Sequence, residues 1–276
     1  MSGAAPIFLR AFAPWRAKNL AHAKAQRCCA VIAAVASLPT RRDEAFRYAD
    51  IAALAPLWPV AVEKIAVGAW EQRALSVVST QDGGTMRELA ITLAKGAAFD
   101  LRILSAGAGY CRISVRAELG EGASFTLGAA QLGSGAQTLE VVTEVAHLGP
   151  NATSRQVVRS VAGGGAAVNY LGKVSVARGA DGTDGSQSVR AMLLDRQSSA
   201  NAKPELEIFA DDVKCAHGCA VGELDAGALF YMASRGLPPE AAKKLMLQAF
   251  VAEAFVGAED EEHMLAQALT ALEAML

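Results

Sequence analysis

The sequence predicts a mainly β protein: a β-solenoid core flanked by N-terminal and C-terminal α-helical regions. Three observations carry this reading. The apolar period is helical at the start, becomes two-residue from about Val60, and turns helical again from Asp225. Through the middle, small-residue corners recur at 11 to 16 residues: Gly96-Ala97, Gly107-Ala108, Gly122-Ala123, Gly135-Ala136, Asn151-Ala152, Gly165-Ala166 and Gly179-Ala180. No stretch of the 276 residues approaches the roughly 20 apolar residues that a spanning helix needs. Apolar residues make up 52%, and although 58 residues are alanine, the larger ones suffice for a continuous core. Transmembrane and fully disordered classes are excluded on these grounds.

Residues 1–59 form the first region. Leu20, Ala21, Ala25 and Cys28 recur at helical spacing, followed by Val31, Ile32 and Val35, until Leu38-Pro39-Thr40 breaks the pattern. Asp43 to Leu54 reads as a further short helix, ended by Pro56 and Pro59, since proline cannot donate the helical hydrogen bond. Residues 60–222 form the core. Leu101, Ile103 and Ser105 alternate with Arg102 and Leu104, and Cys111, Ile113 and Val115 with Arg112, Ser114 and Arg116. Such runs predict half-buried strands. Strands joined by tight corners at near-regular spacing suit coils that stack on their neighbours, with a β-sandwich as the runner-up.

Residues 223–276 form the third region. Asp225 stands where an N-cap belongs and Gly236 where a left-handed C′ residue belongs. Pro238-Pro239 opens a second helix, expected to reach about Val256. A third is expected to carry Leu265, Leu269, Leu272 and Leu276 on one side. In the second helix Leu245, Met246, Leu247, Phe250, Val251 and Phe255 spread around most of the circumference. A helix apolar on more than one side calls for two packing surfaces, its own chain and a partner.

Charge is uneven. Residues 1–42 carry seven Lys or Arg and no acid, whereas residues 205–276 carry four basic against 13 acidic groups. That asymmetry points to protein contacts rather than to nucleic acid, and no membrane partner is expected. The basic, acid-free start also fits a transit peptide, but its direct passage through Leu38-Pro39 into a folded segment favours a bacterial cytoplasmic protein. Five cysteines (Cys28, Cys29, Cys111, Cys215 and Cys219) are odd in number and follow no secretory segment, so reduced thiols are expected.

Chemistry concentrates in one place. Cys215-Ala216-His217-Gly218-Cys219 sets three soft ligands at i, i+2 and i+4, all on one face if the segment is a strand. Thiolate and imidazole suit zinc, iron and iron–sulfur chemistry, though three ligands on one strand leave a fourth to come from elsewhere. The bland alternative makes the cysteines small core hydrophobes and has His217 bonded to a carbonyl. No phosphate loop exists: Gly172-Lys173 is followed by Val174, and Ala167 takes the place of the first glycine. Gly163-Gly164-Gly165 lacks dinucleotide-fingerprint spacing, and His147 at a strand end reads as structural. No catalytic residue is assigned.

Pro204-Glu205-Leu206-Glu207-Ile208-Phe209-Ala210-Asp211-Asp212-Val213-Lys214-Cys215-Ala216-His217-Gly218 resembles the signature of the SufD branch of the SufBD family, scaffolds of SUF iron–sulfur assembly. Leu229-Phe230-Tyr231-Met232-Ala233-Ser234-Arg235-Gly236 is similar to the next segment in that family. Leu38-Pro39-Thr40-Arg41-Arg42 and Phe46-Arg47-Tyr48 resemble an N-terminal element, with Phe46 where tryptophan is frequent and Ala49 where threonine is.

The resemblance implies a right-handed parallel β-helix and a scaffold that is not an enzyme. It implies a heterodimer with a SufB-like homologue and docking of a SufC-like ABC-type ATPase. No cofactor is expected to be held tightly by the isolated chain; a transient Fe–S cluster or iron would sit at the complex interface. His217 and Cys215 fall on the family's interface positions and are the candidate metal contacts. The ATPase-docking region falls on the C-terminal helices, with Phe230, Tyr231, Arg235, Phe250 and Phe255 as candidates. Phe250 and Phe255, about 140° apart on a continuous helix, are expected to divide between the chain's own core and the ATPase. The chain is shorter than typical members, so several coils are expected to be missing, and Cys219 inherits no family role. A β-helix structural or carbohydrate-related protein is the competing class.

Overall fold

The structure, a computed structural model, describes residues 37–80, 83–107 and 109–276. The expected helix between Phe8 and Val35, Cys28, Cys29 and Ala108 lie outside the described residues. Residues 40–276 form one unit.

After a 3₁₀ turn at Glu44–Phe46, helix α1 (Ile51–Leu54) and a second 3₁₀ turn at Ala55–Leu57, the described residues form twelve strands. They are β1 (Val62–Val67), β2 (Gln72–Ser79), β3 (Thr85–Leu93), β4 (Ala98–Ala106), β5 (Tyr110–Leu119) and β6 (Ser124–Ser134), then β7 (Thr138–His147), β8 (Thr153–Gly163), β9 (Ala167–Val176), β10 (Thr183–Leu193), β11 (Ser199–Ile208) and β12 (Val213–Gly222). Odd strands build one parallel sheet in the order β1-β3-β5-β7-β9-β11, and even strands build the other, β12-β10-β8-β6-β4-β2. Each coil therefore contributes one strand to each sheet, which is a parallel β-solenoid. Helices α2 (Ala226–Ser234), α3 (Pro239–Ala252) and α4 (Glu261–Met275) complete the chain's element order.

The corners explain the recurrent glycines. Trp70, Gly96, Gly122, Asn151 and Gly182 all have positive φ, between 58° and 71°. Their N–H groups donate to the carbonyls of Lys95, Glu121, Pro150, Asp181 and Asp212, one coil on, at 2.7–3.0 Å. Left-handed backbone costs an L-residue with a Cβ but not glycine, and asparagine tolerates it best of the rest. Gly179 also has positive φ, but Gly182 supplies the rung of this ladder.

Between the sheets lies the main core, with Phe99, Leu101, Ile103, Cys111, Ile113, Phe125, Val141 and Val174 among its members. The strands were expected to be half-buried; β4, β6 and β8 are instead covered on both faces. Leu104, Ala106, Ala130, Leu132 and Val161 point out of the even sheet and pack under Leu247, Phe250, Val251, Phe255, Met264, Ala268 and Leu272. The third helix buries Leu272 of the expected leucine stripe together with Met264 and Ala268, whereas Leu265 and Leu269 are half-buried and Leu276 is exposed. On the odd sheet, the single helix expected over Asp43–Leu54 is split, because Asp50 is extended and caps α1 by accepting from the N–H groups of Ala52 and Ala53. That short segment is fixed by a buried cluster: Arg112 pairs with Glu140 at 2.8 Å, donates to Ala45 O at 2.6 Å, and lies 4.1 Å over the Phe46 ring.

Candidate functional site

The solenoid ends at β11 and β12, and both are edge strands: β11 pairs with β9 and β12 with β10. Residues paired across a parallel ladder share a face. Gly185, Gln187 and Val189 of β10 face the interior and are buried, so their partners Cys215, His217 and Cys219 of β12 face the same way. Opposite them, Ala200, Ala202 and Leu206 of β11 continue the core. Among the described residues no further coil is stacked on β12, which is exposed over most of its length, and Ile208, Phe209 and Val221 are exposed there too. The expected one-face arrangement of the three soft ligands is present, at an uncapped mouth of the core.

At two-residue spacing their backbones lie about 6.6 Å apart, so the side chains would have to converge to share one ion. Among the described residues no group of three or more His, Cys, Asp or Glu is placed to hold a metal ion. Burial pushes the Cys215 thiol up, the Gly185 N–H pulls it back, and Asp184 raises it further. Such a thiol is mostly protonated at neutral pH, a poor nucleophile and a metal ligand only after losing its proton. His217 and Cys219 are exposed. Each can contribute a ligand to something arriving from outside the mouth.

Residues 72–250 match the family model described as SUF system FeS cluster assembly, SufBD core domain. The chain belongs to the SufBD family. The match runs from the start of β2 to near the end of α3, and so takes in the solenoid mouth with all three soft-ligand residues. Among curated relatives, the iron-sulfur cluster assembly protein SufD of Escherichia coli is 36% identical over 108 residues, 39% of this chain and 26% of that protein. The chloroplastic protein ABCI7 of Arabidopsis thaliana is 37% identical over 119 residues, 42% of this chain and 25% of that protein. An iron-sulfur cluster assembly SufBD family protein of Synechocystis is 34% identical over 120 residues, 44% and 26% of the two chains. The matched segments thus span about a quarter of each relative's own length.

The C-terminal candidates divide differently from expectation. In α2, Asp225 accepts from Gly227 N at 2.8 Å and Ala228 N at 3.3 Å, and Gly236 closes the helix with φ 89°. Phe230 and Tyr231 are 76% and 58% exposed, and the Arg235 guanidinium lies 5.2 Å from the Tyr231 ring. Phe250 and Phe255 are both buried in the chain's own core. The expectation that one of them stands free is corrected: α3 ends at Ala252, so Phe255 sits in the turn beyond it and the helical angle between the two does not apply. Gln187, Tyr170 and Gln156, a buried polar group behind His217, are not among the residues that the sequence singles out.

Proposed function

We propose that this SufBD chain is a scaffold in SUF-type iron–sulfur cluster assembly rather than an enzyme. It pairs through its solenoid mouth with a SufB-like homologue and docks a SufC-like ABC ATPase through α2. The observation that carries the reading is the uncapped final coil, in which β12 presents His217 and Cys215 on the inner face with its outer edge unpaired. A free strand edge beside exposed apolar side chains is a template for another chain, and solenoids need caps. A homologous coil is the natural cap, since it continues both sheets. Iron and sulfide, the cargo, would then be enclosed between two chains, with His217 and secondarily Cys215 completing a ligand set that the partner begins. The exposed aromatic pair Phe230–Tyr231 supports α2 as the ATPase contact. Phe250 and Phe255 have no part in it.

The test is anaerobic reconstitution of the chain co-expressed with a SufB-type homologue and a SufC-type ATPase, with iron and sulfide quantified per complex. His217→Ala should lower cluster yield severalfold while leaving assembly and melting temperature nearly unchanged. Normal yield in that variant, or failure of the wild-type chain to join any complex, would overturn the reading.

A further inference from the structure

Behind the mouth, the even sheet carries a polar ladder along one inner row. Gln156 of β8 pairs in register with Gln187 of β10, and Gln187 with His217 of β12. Neighbours on adjacent strands lie about 4.8 Å apart, within reach of amide and imidazole side chains. Gln187 is 3% exposed and its Nε2 donates to the Tyr170 hydroxyl at 3.0 Å. That hydroxyl lies 3.2 Å from Gln156 Oε1 and 3.0 Å from Thr143 Oγ1, and Thr143 donates to Gln156 Oε1 at 2.8 Å. The tyrosine reaches this position over Gly172, where a Cβ would lie 2.1 Å from the hydroxyl oxygen. The amide nitrogen of Gln187 is thereby committed inward. Its Oε1 is buried and has no hydrogen-bond partner.

An unmet buried acceptor costs about 1–3 kcal/mol, so a donor on the next rung is strongly favoured. We infer that Gln187 is a positioning residue for His217, its Oε1 accepting from one ring N–H and so leaving the other ring nitrogen unprotonated toward the mouth. His217 supplies that donor by rotating its side chain on the same inner row. A ring held this way presents one lone pair outward in a fixed direction, which a metal ligand requires and a freely rotating imidazole lacks. The functional value of the arrangement rests on the scaffold reading above; the hydrogen bond itself does not. Gln156 Nε2 is the competing donor, since it too is buried and without a partner.

The two can be separated by nitrogen NMR of the full chain, without any partner, labelled at its four histidines and assigned with a His217→Gln variant. In the wild type the His217 ring should populate one tautomer above 90%. Gln187→Leu should return it to the mixture of a free imidazole, and Gln187→Glu, which keeps an acceptor, should restore a single tautomer. A free-imidazole mixture in the wild-type chain, or the same tautomer ratio in all three proteins, overturns the inference and leaves Gln156 as the partner. In the reconstituted complex, Gln187→Leu should reduce metal affinity about tenfold, the lower end of what outer-shell partners contribute. If the tautomer shifts as expected but His217→Ala assembles normal cluster, the hydrogen bond stands and the scaffold reading fails. If His217→Ala loses cluster while the tautomer never responds to Gln187, the reverse holds.

Discussion

His147 closes β7 fully buried, with Nε2 2.9 Å from Ser154 Oγ, and burial drives its ring down to about 4. The unfolded chain binds that proton near 6.5. Between pH 6.5 and 4 the unfolded state therefore holds more protons, and stability falls as pH falls through this window. A loss on the order of 3 kcal/mol is expected across it, measured as the urea midpoint against pH, and His147→Asn should remove most of that slope. The corner ladder gives a second residue-scale outcome. Gly122 has φ 64° with nothing within 4 Å of an added Cβ, so Gly122→Ala should cost about 1–2 kcal/mol through backbone strain alone. Asn151→Gly, at φ 58°, should stay within about 0.5 kcal/mol of wild type in the same denaturation assay. These corners were legible in the sequence because steric exclusion at positive φ leaves few residue types. Trp70 occupies the same conformation and was not, since a tryptophan carries no such signal.

Elements were legible in type and less so in environment. Alternation along Leu101 to Ser105 located a strand, but period two cannot say whether the outward residues meet water or another layer. Arg102 shows what decides it: its Nη1 donates to Ala254 O at 2.9 Å, joining β4 to the turn after α3. Arg159 does the same from β8, bonding Glu253 at 2.6 and 2.8 Å. Gly128 of β6 lets that turn approach, since a Cβ there would fall 1.8 Å from Ala254 O. Gly128→Ala should therefore lift the turn from the sheet and lower the melting temperature by several degrees in calorimetry. Phe255→Ala empties a filled site in the same layer and should cost about 3–5 kcal/mol. Phe230→Ser, on exposed α2, should leave the melting temperature nearly unchanged while abolishing pull-down of the ATPase. Loss of fold in the Phe230 variant, or a Phe255 variant as stable as wild type, would contradict this division of labour.

At the scale of the whole molecule, the described coils interact along one direction, each with its neighbours, so stability is distributed by position along the stack. The soft-ligand motif was legible, but not its place at the end of the stack. That place depends on how the helices after β12 pack, and α3 and α4 turn back onto the outside of the even sheet instead of capping the mouth. Inner coils such as β6 are held by strands on both sides and by helices above. β12 has one neighbouring strand and few buried side chains. Local opening free energies track such contacts, falling from the global value in the core toward zero at loosely held ends. Native-state hydrogen exchange should then find the β12 amides that donate to β10 protected at least about a hundredfold less than those of β6. Adding a SufB-like homologue should raise protection in β11 and β12 selectively, because a paired edge converts solvent-facing N–H groups into ladder donors and buries Ile208 and Val221. Protection rising first in the inner coils would place the contact elsewhere. Equal protection of β6 and β12 in the free chain would mean that the mouth is already closed by the chain itself, removing the physical reason for a partner there.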